Sequence, residues 1–129
     1  MRDVFKAPSE WFKQAEYDFA TAEAMLKARR YIYAIFMSHL SIEKALKGIY
    51  AKKLRKDPSK THDLIFIAEK TGLDFPEAFH HFLNDLNDVS VPTRYPDELE
   101  KLLKQYDKKR VEGIFAGTKD FLTWLKKKL

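Results

Sequence analysis

His39, Glu43 and Lys47 follow one another at intervals of four residues. On an α-helix that spacing stacks three side chains in one row. An imidazole beside a carboxylate can share a proton or an ion, and a lysine one turn further on can hold an anion. Two readings of the row stay open: a helix-edge histidine hydrogen-bonded to Glu43 with Lys47 in solvent, or a polar strip that contacts a ligand or a second subunit. A metal needs three or four ligands at set spacings, and no His-Glu-x-x-His run and no cysteine occur, so neither a metal site nor a cofactor is expected.

Three further groups could do chemistry. His62-Asp63 falls at the start of an expected helix, where unpaired amides favour a phosphate; equally, Asp63 there complements the helix dipole. Arg94, Tyr95 and Asp97 lie around Pro92 and Pro96, offering a fork for phosphate and a ring for base stacking. The alternative is that Arg94 pins the loop and Tyr95 is core. Arg55 and His62 have six residues between them. Such a pair can cleave RNA without metal, the guanidinium neutralising phosphate while the imidazole moves a proton, which makes these two the candidate catalytic residues.

Helices must position these groups. Ile32, Ile35, Phe36, Ile42, Leu46, Ile49 and Tyr50 recur in steps of three and four, which predicts a helix over 31–54. At the usual helical rise it is about 36 Å long. Before it, Trp11, Phe12, Ala15, Phe19, Ala22 and Leu26 predict a helix capped by Ser9, with Glu16, Asp18, Glu23 and Lys27 off the apolar stripe and Arg29 and Arg30 near its last carbonyls. After the polar break at 55–60, Thr61 is expected to cap a helix from 62 to about 70 that Gly72 stops. A fourth helix starts at Asp74 and Pro76 and is expected to fail around 88–92, giving way to an extended loop over 91–97. Residues 97–128 read either as one helix or as two, the second capped by Asp107. No period-two alternation appears. The expected fold class is all-α, an antiparallel up-and-down helical bundle of four main helices plus short extra helices, in a single domain over 1–129.

A chain of 129 residues, 45% hydrophobic and 33% charged, can bury a core without disulfides, and lacking cysteine it has none. No apolar stretch approaches the roughly 20 residues of a membrane span. The first eight residues lack the apolar run of a leader. The expectation is a soluble cytoplasmic protein with no membrane contact. A formal charge of +5 permits nucleotide or nucleic-acid binding without demanding it.

Three stretches in order, Phe36-Met-Ser-His-Leu-Ser-Ile-Glu-Lys-Ala-Leu-Lys47, Thr61-His-Asp-Leu64 and Thr93-Arg-Tyr-Pro-Asp97, resemble the HEPN family (higher eukaryotes and prokaryotes nucleotide-binding). Trp11, Ala15 and Asp18 and the closing aromatic helix also fit, so the likeness spans roughly residues 9 to 126. It implies a helical bundle that forms a homodimer. It also implies a role beside a minimal nucleotidyltransferase, as its substrate-binding partner or as the toxin of a toxin–antitoxin pair, with nucleotide or RNA as ligand. The family's marked positions fall here on Glu43, Lys44, Lys47, His62, Asp63, Arg94, Tyr95 and Asp97, and with His39 these are the expected ligand-binding residues. Ribonuclease members carry Arg and His near the final long helix. Here no histidine follows His81, and Leu40 stands where Gln is common beside His39. A non-catalytic nucleotide-linked dimer is therefore expected ahead of a metal-independent endoribonuclease or a purely structural dimer.

Overall fold

The computed structural model describes residues 4–129, apart from the side chain of Arg94; residues 1–3, part of the stretch read for a leader, lie outside the described residues. Six helices and no strand are found among the described residues: α1 (Pro8–Lys27), α2 (Tyr31–Leu54), α3 (Leu64–Thr71), α4 (Glu77–Arg94), α5 (Leu99–Gln105) and α6 (Lys108–Lys126). Four are long and two, α3 and α5, are short, so the all-α bundle expected from the periodicity is the fold.

Helix α2 is the centre. Ile35, Ile42, Leu46 and Ile49 are wholly buried on it, and it packs against every other helix. Its pairing with α1 is antiparallel: Ser41 Oγ donates to the Ala15 carbonyl at 2.7 Å, while Gly48 lies against Trp11 and Pro8. Helix α6 returns along α4, with Phe82 against Gly117, Phe79 against Phe121 and Phe75 against Trp124. Residues 97–128 form two helices rather than one. Asp107 caps the second by accepting from the Arg110 amide at 2.9 Å.

The connections explain where the helix ends differ from expectation. Helix α1 starts on Pro8, with Ala7 rather than Ser9 as N-cap and no side-chain cap. Proline's fixed φ suits the first helical position, where its missing amide costs nothing. The turn into α2 is closed by backbone amides of the two arginines expected near the last carbonyls of α1. Arg30 N–H reaches the Met25 carbonyl at 2.8 Å and Arg29 N–H the Leu26 carbonyl at 3.1 Å, with Arg29 at a φ of 61°. This is the left-handed helix stop that glycine usually supplies. Asp63, not Thr61, caps α3, and Gly72 ends it as expected, at a φ of 69°.

The largest departure is α4, which does not fail at 88–92 but runs through Pro92 to Arg94, so 91–97 is not an extended loop. Proline removes one donor, the bond that would reach residue 88. The turns on either side of it keep their bonds. The Thr93 hydroxyl donates toward the carbonyls of Val89 and Ser90 at 2.8 and 3.0 Å, and Tyr95 N–H reaches Val91 O at 3.0 Å. Val89, Ser90 and Thr93 are buried, so packing on the bundle outweighs local propensity.

The α4–α6 contact gives opposite expectations for two glycines of one helix. A Cβ on Gly117 would lie 2.7 Å from the Phe82 ring, whereas one on Gly113 meets nothing within 4 Å. Gly117→Ala should destabilise by about 1–3 kcal/mol through overpacking. Gly113→Ala should stabilise by up to about 1 kcal/mol through helix propensity. Urea denaturation of the two variants checks the difference in sign.

Candidate functional site

The row of α2 faces inward. Glu43 and Lys47 keep only 5% and 7% of their side chains exposed, and His39 is fully buried. Lys47 is therefore not in solvent. Its Nζ lies 3.1 Å from Glu43 Oε2, a charge-assisted bond between two groups that would each be costly to bury alone. The other carboxylate oxygen, Oε1, is 2.8 Å from His62 Nδ1 and 3.9 Å from His39 Nδ1. The histidine that hydrogen-bonds Glu43 closely is thus His62, supplied by the connection between α2 and α3. Its own side chain is 61% exposed. A buried anion steers this imidazole from one ring nitrogen, while most of the side chain stays exposed.

Several stretches of chain enclose the buried pair. Trp11 of α1 brings its ring centroid 5.9 Å from Lys47 Nζ, and Lys6 Nζ stacks on the same ring at 4.0 Å. The indole Nε1 is enclosed without a hydrogen-bond partner among the described residues. The Lys6 amide donates to Asp57 Oδ1 at 2.9 Å, so the segment before α1 is tied to the segment carrying Arg55, Lys56 and Lys60. Arg55 itself ends α2 at a left-handed φ of 54°, exposed.

Asp63 is structural. Its Oδ1 accepts from the amides of Ile65 and Phe66 at 3.0 and 3.3 Å and from Asn87 Nδ2 at 3.1 Å. Asn87 Oδ1 takes the Leu64 amide at 3.0 Å. The first amides of α3 are therefore occupied, and a phosphate beside His62 would have to be held by side chains.

The remaining expected residues stand elsewhere. Lys44 turns to α1 and pairs with Asp18 at 2.8 Å. Asp18 is buried, not off the apolar stripe. Its spacing of three and four from Ala15 and Ala22, both buried, was the signal for this. Tyr95 and Asp97 line a separate groove of about 810 Å³ between the end of α4 and α5. Arg94 closes α4, and its side chain lies outside the described residues. The fold thus joins Glu43, Lys47, His62 and His39 into one cluster and sets Lys44, Arg55, Asp63, Tyr95 and Asp97 outside it. Lys6 reaches the site without a sequence signal, and Asn87 its Asp63 neighbour likewise, whereas Trp11 was marked by the apolar stripe and the family likeness but not for this contact.

The fold and site together define a class: small helical-bundle proteins built on a charged central helix, with a histidine delivered to it from the following connection. The chain belongs to the HEPN domain family, whose pattern matches residues 8–129. Two solved structures are similar. TT1696 from Thermus thermophilus is 24% identical with a TM-score of 0.82, over 95% of this chain and 98% of that one. ST0689, described as an archaeal HEPN homologue, is 25% identical with a TM-score of 0.73, over 95% of this chain and 97% of that one. No curated protein matches the chain.

The buried ion pair sets a stability expectation. Removing one partner leaves the other charge enclosed, so Lys47→Met should destabilise by about 3–5 kcal/mol. The double variant Glu43→Leu/Lys47→Met should be less destabilised than Lys47→Met alone, because neither charge then remains. Chemical denaturation of the single and double variants measures both.

Proposed function

We propose that this HEPN-domain protein is a homodimeric partner subunit that binds a nucleotide or a minimal nucleotidyltransferase, a role compatible with one component of a toxin–antitoxin pair. The observation that carries the reading is the fixed imidazole of His62. Glu43 holds Nδ1 at 2.8 Å, Lys47 neutralises that carboxylate from behind, and the ring remains largely exposed. A side chain already oriented loses little freedom when a ligand arrives, which favours binding. Arg55, Lys56 and Lys60 precede it in the same connection and supply positive charge for a phosphate. The ligand face is accordingly His62 with this basic segment, while Lys47 acts from the interior and Lys44 is engaged by Asp18. The nucleotidyltransferase partner rests on the family resemblance.

One observation favours the second reading, a metal-independent endoribonuclease. When Nδ1–H is donated to Glu43, neutral His62 carries its lone pair on Nε2. That is the form a general base needs, and Arg55 begins the same connection.

Isothermal titration with ATP tests the first reading. Wild type should bind, His62→Ala should weaken binding by about tenfold or more, and Lys44→Ala should leave it within about twofold. A wild type that takes up neither ATP nor other nucleotides, and captures no minimal nucleotidyltransferase, removes this function. Incubation with a structured RNA in chelator separates the two readings: cleavage by wild type that is lost in His62→Ala moves the assignment to the nuclease.

A further inference from the structure

Resting on the nucleotide reading of His62, we propose that a hollow between the end of α2 and α3 seats the base of the ligand, with Phe66 as its stacking ring. Phe66 is left 41% exposed on a helix whose Leu64, Ile67 and Ala68 are buried. It borders a hollow of about 120 Å³, whose other walls are Tyr50 of α2, Pro58 and Ser59 of the connection, and Ile67 and Lys70 of α3. Pockets that enclose a whole organic ligand start at about 300 Å³. This one has room for a single planar heterocycle, so the rest of its ligand must lie outside.

Charge decides what that remainder is. Pro58 and Ser59 belong to the connection that also carries Arg55, Lys56, Lys60 and His62, and Lys70 Nζ stands 5.3 Å from the Phe66 ring centroid. Asp57 is the one acid of residues 52–60, and its Oδ1 already accepts from the Lys6 amide. A flat ring that brings its own anion suits these surroundings. A hydrocarbon tail gains nothing from the cations, and a basic aromatic is repelled by them. Lys70 is exposed on a flexible stem, free to give way to a base or to turn to its phosphate. Sequence keeps the two subsites within the span of one ligand. Phe66 follows His62 by four residues, which holds their Cα atoms within about 14 Å. Tyr50 follows Lys47 by three on α2, so the hollow begins about one turn beyond the buried pair that orients the imidazole. Every base has a π-face, so Phe66 imposes the need for a base and not a choice among bases.

Isothermal titration of ATP against inorganic tripolyphosphate, which has the anion and lacks the base, isolates this seat, with circular dichroism as the check on folding. Wild type should bind ATP at least about tenfold more tightly than tripolyphosphate. Phe66→Leu should weaken ATP by about tenfold and leave tripolyphosphate within about twofold of wild type. Phe66→Trp should keep the affinity for ATP, and its fluorescence should fall on ATP addition by more than that of wild type, as a base stacks on the new indole. Tripolyphosphate bound as tightly as ATP overturns the seat and leaves His62 as an anion site. A Phe66→Leu variant that binds ATP like wild type overturns it too, as does one that loses both ligands alike, since the ring then only supports the fold. A wild type that binds neither ligand removes the His62 reading and the seat with it.

Discussion

A carboxylate cannot sit inside a protein without something to answer its charge, and Glu43 sits inside this one. The answer comes from two places. Lys47, one turn along the same helix, is itself buried and neutralises one oxygen. His62, nineteen residues away in sequence, takes the other. The second contact requires the connection after α2 to fold back over the helix that it has just left. Trp11 lies over Lys47, Lys6 stacks on the same ring, and the bond from Lys6 N–H to Asp57 ties the segment before α1 to the one after α2. An apolar helix of the same length would need none of this. The ionic pair is therefore weak evidence for stability, and better explained by what it does to the imidazole it holds.

Much of the scaffold could be read from spacing. The steps of three and four over 31–54 gave α2 its full span, because a long helix with a wide apolar face is the pattern least confused with anything else. Gly72 and Asp107 were legible for local reasons: a left-handed stop and a side-chain cap are made by residues within a turn of one another. Pro92 misleads because its local rule is sound but incomplete. The burial of Val89, Ser90 and Thr93 holds a turn that proline alone would weaken, and burial is not visible in a single residue's preference.

The site was legible in part. The row His39, Glu43 and Lys47 could be drawn from the periodicity, and His62 and Asp63 from their place at a helix start, which the likeness to the HEPN family reinforced. Which face the row turned, and which histidine met Glu43, could not be read, since both depend on how the connection 55–63 packs. Lys44 shows the limit well. It is adjacent to Glu43 in sequence, yet a step of one residue turns it by about 100° around the helix, and it meets Asp18 on α1 instead.

Asp63 caps its own helix and at the same time accepts from Asn87 on α4. Its neighbour His62 is thus moored on two sides, by α2 through the ring and by α4 through the adjoining residue. The pose of that imidazole is a tertiary property. A peptide cut out over 55–71 would keep every basic and aromatic group of the segment and lose the one orientation that gives them a purpose.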